Sequence, residues 1–427
     1  MNKQLLQTVR GTNDILPKDQ MMWDYIYRSC IETAHLYGYA AITTPTFEYS
    51  WIYARGIGEH TEILEKEMYY LRSREADLDI ALRPEGTAGV VRAYYQHGLH
   101  TEPTPLRLYY YGPMFRHERP QRGRGREFYQ FGVESIGDGD ASEDALVILL
   151  ATQILNRLQI PQNQYTVAVN SIGCKSCRPS YIKKLKTYLT QNESKMCDEC
   201  VRKSKSNPLR VLDCKNPRCQ KALAGVPVTL DNICIDCHAH FKLVLEYLEE
   251  AGVQFIVNPR IVRGLDYYTQ TVFEIIPTLK QFSGQAVIAG GRYNDLVALY
   301  GRRSAPAVGF GLGVERLVNL IKDLKISAPS TVTAPVYIIQ LGQSAKKKAL
   351  QIIQQLTSSG IAVRSSLSKD SLKSQLKTAS KNNVKFALIL GQRELLDKTI
   401  ILKDMAAGTQ ETIDINQYLP ALLERLK

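Results

Sequence analysis

No apolar run in this sequence is long enough to cross a bilayer, which takes about 20 residues of helix. The first residues, Met-Asn-Lys-Gln-Leu-Leu-Gln, lack the hydrophobic core of a secretory signal, so a cytoplasmic address is the expectation. Internal repeats and long low-complexity tracts are also missing, which argues against a repeat architecture. Acidic residues are in deficit: 42 Asp and Glu against 54 Lys and Arg leave a formal net charge of +12. Such a surplus draws polyanions, and nucleic acid is the natural partner, although an uncommitted basic surface gives the same total. Cysteine is almost absent outside one window. Eight of the nine lie between Cys174 and Cys237. In a chain expected to be cytoplasmic, that crowding points to metal ligands before disulfides.

What is present is an ordinary enzyme-like composition, 44% hydrophobic and 22% charged, over 427 residues. That length predicts two or three domains. A helix is predicted after Pro17 and ending at Gly38, with Trp23, Ile26, Tyr27, Cys30, Ile31 and Ala34 on one apolar stripe. Cys30 on that stripe reads as core, not as a nucleophile. An extended segment then runs to Pro45. A strand at Asp79–Leu82 breaks at Arg83-Pro84-Glu85-Gly86-Thr87, and a helix follows over Ala88–His97. Two strands, Arg107–His117 and Glu127–Ser135, predict an antiparallel sheet. Further strands are expected at Phe255–Val257 and Thr271–Ile275, with a turn at Gly290-Gly291 and a helix over Val314–Lys322.

The domain plan is a first catalytic part over 1–172, a cysteine-rich insertion over 173–241, a second catalytic part over 242–325, a linker over 326–334 and a final domain over 335–427. In the last of these, Val336–Leu341, Ile361–Arg364 and Phe386–Leu390 read as strands. A helical face at Ala349, Ile352, Ile353 and Leu356 ends before Gly360. That alternation predicts a small α/β domain with a largely parallel sheet.

The strongest local signal is the stretch Phe115–Phe128, where five arginines fall within eleven residues (Arg116, Arg119, Arg122, Arg124, Arg126) and Gly123 and Gly125 let the backbone turn. A guanidinium is a planar fork of donors that stays charged, which suits phosphate. On the second strand, Phe128, Gln130, Gly132 and Glu134 share one face. That face offers an aromatic plate, an amide, a space and a carboxylate, fit for a base and a small amino compound. A solvated polar hairpin fits the same residues equally well.

The stretch Phe115–Glu134 resembles motif 2 of class II aminoacyl-tRNA synthetases, in the form that histidyl-tRNA synthetases use. Four further segments resemble that family in order: Arg10-Gly11-Thr12-Asn13-Asp14; Arg83-Pro84-Glu85-Gly86-Thr87; Arg263-Gly264-Leu265-Asp266-Tyr267-Tyr268-Thr269; and Gly309-Phe310-Gly311-Leu312-Gly313-Val314-Glu315-Arg316, which resembles motif 3. The spacing of the last one does not match a dinucleotide-binding fingerprint. The resemblance covers nearly the whole chain apart from the cysteine-rich insertion. It implies an α+β fold: a class II antiparallel sheet flanked by helices, with the insertion and a C-terminal α/β anticodon-binding domain. It implies ATP-dependent joining of L-histidine to tRNA(His) through a histidyl-adenylate, with magnesium accompanying ATP. It also implies a homodimer, since the segment near Pro45 resembles the interface motif 1.

The resemblance also assigns roles. Arg116 is expected at the α-phosphate, Arg316 at the γ-phosphate, and Arg124 and Arg126 along the bent triphosphate, with Phe128 stacked on adenine. Arg263 is expected near the α-phosphate, where other class II members place a metal ion. Glu85, Gly86, Thr87 and Gln130 are expected around the substrate ammonium. Glu134 and Tyr268 would meet the two imidazole nitrogens, and Tyr267 and Tyr293 would line the walls. Plain core is the other fate open to either wall tyrosine.

The cysteines form four close pairs: Cys174 and Cys177, Cys197 and Cys200, Cys214 and Cys219, Cys234 and Cys237. They could hold two structural zinc ions, each with four cysteine ligands. This inference comes from spacing, because many members of the family carry an insertion without these cysteines. Reduced thiols on a small helical insertion are the alternative, and the grouping of the pairs is open. Nearby Lys183, Lys184, Lys186, Arg202, Lys203 and Lys205 either grip the acceptor arm of tRNA or form a solvated face. Three rival readings stand beside the ligase. They are a regulatory paralogue that binds histidine without charging tRNA, a zinc-dependent RNA-binding module on a dead scaffold, and a class II synthetase for another amino acid.

Overall fold

The computed structural model describes residues 6–57, 61, 63–72, 79–301, 304–329 and 334–426. The first five residues of the chain and residues 330–333 of the expected linker lie outside that set. The chain divides into two units, Met1–Ala328 and Pro329–Lys427.

The first unit is organised by an eight-stranded sheet. Its spatial order is Ala40–Ala41, Leu106–Phe115, Glu127–Ile136, Ala307–Gly313, Ile288–Arg292, Thr269–Pro277, Tyr165–Ser171 and Phe255–Val257. Neighbours are antiparallel throughout the centre, and only the two edge strands pair in parallel. The long hairpin Leu106–Phe115 and Glu127–Ile136 keeps register over ten residue pairs, from Leu106 opposite Ile136 to Phe115 opposite Glu127. Apolar side chains on one face of the sheet meet the helices Pro17–Leu36, Ala141–Arg157, Ile235–Glu250 and Val314–Asp323 in one core. The opposite face is covered by the helix Thr87–Gln96 and holds the tyrosines Tyr110, Tyr267, Tyr268 and Tyr293.

Local sequence explains the helix ends. Pro17 opens the first helix, where its missing N–H costs nothing, and Gly38 follows it at φ +76°. Trp23, Ile26, Cys30 and Ala34 of the expected stripe are buried. Tyr27 is not; it leans on Tyr111 with ring centroids 4.6 Å apart. Asp140 caps the helix Ala141–Arg157 by accepting from the Ser142 N–H at 2.8 Å.

Two expectations need correction. Gly290-Gly291 is not a turn but lies in the central strand Ile288–Arg292, bonded on both sides. Glycine is needed there because a Cβ on Gly290 would stand 2.2 Å from the Gly309 carbonyl. A register shift at Gly291/Arg292 lets the strand bend. Arg292, just past the glycines, is fully buried against Asp144, with Nε 2.9 Å from Oδ2. The Asp138 and Asp140 carbonyls accept from its other nitrogens at 2.9 and 3.0 Å. Burial pushes the Asp144 carboxyl up, but Arg292 and His240 outweigh it and hold the pKa below the usual carboxylate range.

The second correction concerns the C-terminal unit. Its sheet is mixed, in the order Val363–Ser365, Val336–Gln340, Phe386–Leu390, Thr399–Asp404, Gln410–Asp414. The first three strands are parallel, but the last two, which sequence periodicity did not reveal, pair antiparallel. The helices Gln343–Ser358 and Tyr418–Leu426 pack Ile352, Leu356 and Leu422 against Ile338, Leu388 and Ile400. Among the described residues, no helix is long and apolar enough to cross a membrane.

The Asp144–Arg292 pair yields the first prediction. Asp144→Ala leaves a guanidinium buried without its countercharge and is expected to cost about 3–5 kcal/mol of stability. A denaturant midpoint unchanged from the parent would contradict this account of the core.

Candidate active site

The antiparallel hairpin, the central strands and the start of the helix Thr87–Gln96 enclose a cleft with about 800 Å³ of empty space, part of it open to solvent. Its lining holds an arginine set, Arg116, Arg124, Arg263 and Arg316, and a polar set, Glu85, Thr87, Gln130, Tyr110, Tyr267 and Tyr268. The two sets meet where Arg263 lies against Tyr268. Residues far apart in sequence reach this place because the Glu127–Ile136 and Ala307–Gly313 strands are neighbours at the sheet centre.

Arg116 donates from Nε to the Pro84 carbonyl at 2.8 Å, and its guanidinium lies 5.2 Å from the Phe128 ring centroid. Arg316 donates to the Ala286 carbonyl at 2.7 Å and to the Gly123 carbonyl at 3.3 Å. Burial, then the positive charges of Arg124 and Arg116, depress the Arg316 pKa to about 10. Such mutual repulsion in a partly dry cleft is relieved by a polyanion. Glu118 offsets part of it, 3.7 Å from Arg116 and 3.4 Å from Arg124. Arg263 pairs with Glu274 at 2.7 Å and lies 5.2 Å from the Tyr268 ring centroid. Burial works against its charge, but Tyr268 and Glu274 more than restore it.

In the polar set, Glu85 accepts from the Thr87 and Ala88 N–H groups, both at 2.8 Å, so it caps the helix that it precedes. Burial raises its pKa against those bonds. Glu134 is fully buried and accepts from Thr87 Oγ1 at 2.7 Å and from the Tyr293 hydroxyl. Burial pushes its carboxyl up to about 8, in spite of the Tyr293 and Thr87 hydrogen bonds. The Tyr110 hydroxyl faces Gln130 Oε1 at 3.5 Å.

Four of the sequence-predicted residues do not line the cleft: Arg126, Gly86, Glu134 and Tyr293. The Arg126 side chain lies against Gly11 of the N-terminal segment, and its main-chain N–H donates to the Gly11 carbonyl at 2.7 Å, so that segment braces the arginine loop. Gly86 makes room, since a Cβ there would lie 2.2 Å from the Tyr110 ring. Glu134 sits behind the cleft and reaches it through Thr87, while Tyr293, also outside the lining, holds its other oxygen.

Sequence reasoning missed Tyr110, Glu118, Glu274 and the work of Glu315, whose carboxylate accepts from the Tyr129 N–H at 2.9 Å. The motif 3 glycines carried a signal for the packing. A Cβ on Gly309 would meet Glu134 Oε2 at 2.1 Å, and one on Gly311 would meet Gln130 Nε2 at 2.2 Å. Those glycines keep the polar face of the hairpin unobstructed.

An antiparallel sheet bearing an arginine hairpin and a glycine strand that runs into an arginine-bearing helix defines a class II aminoacyl-tRNA synthetase catalytic unit. Comparison with known proteins narrows it. The histidyl-tRNA synthetase family model matches residues 11–317, and an anticodon-binding domain model matches residues 335–425. The histidine–tRNA ligase of Desulforamulus reducens is 42% identical over 411 residues, covering 96% of this chain and 97% of that protein. The histidine–tRNA ligase of Caldanaerobacter subterraneus subsp. tengcongensis is 41% identical, over 98% of this chain and 99% of its own. A crystal structure of apo S. aureus histidyl-tRNA synthetase superposes with a TM-score of 0.81 at 31% identity, covering 98% of this chain and 99% of that one. The chain belongs to the histidyl-tRNA synthetase family.

Gly311→Ala tests the packing of the polar face. The clashing atom is the free end of a flexible side chain, so Gln130 swings aside and stability changes little. The displaced amide is expected to raise the histidine KM roughly tenfold or more, as misplacement of positioning groups does. A histidine KM equal to the parent's would refute the role given to Gly311.

Proposed function

We infer that this chain joins L-histidine to tRNA(His) in two steps, with a histidyl-adenylate between them. The observation that carries this reading is the convergence of Arg116, Arg263 and Arg316 on one cleft that is also lined by Glu85, Gln130 and Tyr268. In the first step the histidine carboxylate attacks the α-phosphorus of ATP and pyrophosphate leaves. Negative charge grows on the α-phosphoryl oxygens, and fixed guanidinium groups aimed there favour the transition state over the ground state. Arg116 and Arg263 take that position, Arg316 and Arg124 hold the triphosphate tail, and Phe128 stacks on adenine. In the second step a ribose hydroxyl at the tRNA terminus attacks the histidyl carbonyl and AMP leaves.

The amino-acid end recognises its substrate by buried polar groups that are already held in place by one another. Glu85, Thr87 and Gln130 receive the ammonium and Tyr268 meets the imidazole, while Glu134 acts on that end from behind through Thr87. A pocket of this kind rejects apolar look-alikes, which would strand its buried polar atoms. Magnesium accompanies ATP and screens its phosphate charge. Glu118 and Glu315, the carboxylates lining the phosphate end, suit a hard cation that prefers oxygen ligands.

The remaining assignments belong to the same reading. The C-terminal unit binds the anticodon. The lysines and arginines of the insertion face the acceptor arm, where phosphate contacts supply affinity. Two copies associate through the segment around Pro45. Phe47, Tyr49, Trp51, Tyr70 and Leu71 lie exposed near it, an apolar surface that a second copy would cover. The site of action is the cytoplasm, where tRNA and ATP are used together. The cysteine-rich insertion holds structural rather than catalytic zinc.

Two measurements test the active-site assignment. Histidine-dependent exchange of pyrophosphate into ATP is expected for the intact chain, with a loss of roughly 10²–10³-fold in Arg263→Ala, the usual effect of deleting one preorganised donor. Full exchange in that variant, or exchange supported by another amino acid and not by histidine, would overturn it. The second uses pH. In the empty cleft Glu134 is largely neutral until the pH reaches about 8, and bound histidine favours its carboxylate form. Histidine binding therefore strengthens as the pH rises from neutrality through that value, and Glu134→Gln flattens the rise. A parent profile as flat as the variant's would rule this out.

A further inference from the structure

We propose that the eight clustered cysteines form two four-thiolate zinc sites, the first pair with the fourth and the second with the third, and that the insertion so held braces the Arg263–Thr269 loop. The grouping comes from the fold. Cys174, Cys177, Cys234 and Cys237 bring their sulfurs within 4.8 Å of one another, and Cys197, Cys200, Cys214 and Cys219 do the same. In the first group the Cys174–Cys177, Cys174–Cys234 and Cys177–Cys237 sulfurs are 3.7, 3.8 and 4.0 Å apart. A tetrahedron with metal–sulfur bonds of about 2.3 Å has edges of roughly 3.8 Å. All eight cysteines are free, so no disulfide accounts for the spacing. Four soft thiolates with no oxygen ligand select zinc over magnesium or calcium.

The two sites do different jobs. Cys174 and Cys177 follow the strand Tyr165–Ser171, and Cys234 and Cys237 stand at the start of the helix Ile235–Glu250. The first site therefore ties together the points where the chain leaves and re-enters the catalytic unit. That helix runs on through residue 241, and Phe241, Val244 and Leu248 join the main core. The second site lies within the insertion, and the Cys197 N–H donates to the Cys219 sulfur at 3.2 Å. Cys200 and Cys219 are themselves members of the small apolar cluster there. A core that thin gains its order from metal.

From this frame three side chains reach the loop. Arg178, next to Cys177, donates to the Tyr268 carbonyl at 2.5 Å. Arg210, between the two cysteine pairs of the second site, donates to the Gly264 carbonyl at 2.5 Å. Asn207 donates to Asp266 Oδ1 at 3.0 Å. The loop they hold carries Arg263 and Tyr268, so its placement sets where a cation and a phenol meet the substrate. Arg178 and Arg210 are positioning residues. This bracing half rests on the histidine reading of the cleft; the metal half does not.

The test uses the full chain, expressed with zinc and purified without chelator. Elemental analysis is expected to find two zinc ions per chain. Cobalt in their place should give the intense absorption of tetrahedral thiolate sites. Cys174→Ser with Cys234→Ser should remove one ion, as should Cys197→Ser with Cys219→Ser, whereas Cys174→Ser with Cys197→Ser should remove both. If the third combination lost one ion and the first lost two, the grouping would be wrong. Zinc-free parent protein that unfolds identically with and without chelator would end the metal proposal. Arg210→Ala and Arg178→Ala should keep both ions, raise the histidine KM about tenfold and lower kcat with it, because Tyr268 and Arg263 share the displaced loop. Unchanged histidine KM values in both variants would end the bracing proposal. Absence of exchange in fully metallated parent protein would instead remove the ligase reading and leave the metal sites standing.

Discussion

Guanidinium groups crowded into one partly dry cleft repel each other, and much of the first unit serves to hold them there. Arg316 shows the cost in its pKa, which falls to about 10 under burial and the charges of Arg124 and Arg116. Carbonyls of Pro84, Gly123 and Ala286 hold the arginines in place without cancelling their charge. Among the described residues, Glu118 and Glu274 pair with them at close range. A site kept in this condition favours a ligand with several negative charges, and most of all a state in which that charge increases. Preorganisation of this kind needs a stiff support, and the central sheet supplies it.

The support explains features that first look unrelated. The motif 3 glycines are bare because Glu134 and Gln130 lie across them. Gly290 is bare because the Gly309 carbonyl approaches it. The buried Arg292–Asp144 pair ties the strand Ile288–Arg292 to the helix Ala141–Arg157. The N-terminal segment meets the arginine loop through the Gly11 carbonyl. Each is a constraint on where the sheet can move.

Much of this was legible in the sequence, for a physical reason. Where one hairpin strand alternates faces, its pattern places Phe128, Gln130, Gly132 and Glu134 together before any coordinates exist, and the ladder keeps that phase. Helix ends marked by Pro17 and Gly38 were equally readable. What escaped was long-range or ambiguous. Glycine pairs serve turns and crowded strands alike, so Gly290-Gly291 was misread. Asp144 and Arg292 stand 148 positions apart, and nothing local announces their pairing. The antiparallel strands Thr399–Asp404 and Gln410–Asp414 carry charged residues that blur their alternation. The pairing of cysteines across 60 residues likewise depends on the fold and not on spacing.

The central claim is that one cleft holds a bent nucleotide at its arginine end and an imidazole at its carboxylate end. A crystal structure with ATP and the alcohol analogue of histidine, which lacks the reacting carboxylate, tests it directly. The account predicts the α-phosphate between Arg116 and Arg263, the γ-phosphate at Arg316, and the imidazole beside Tyr268, on the side of the cleft that Glu134 backs. Nucleotide bound away from these arginines, or an imidazole found outside the Glu134 end, would contradict it.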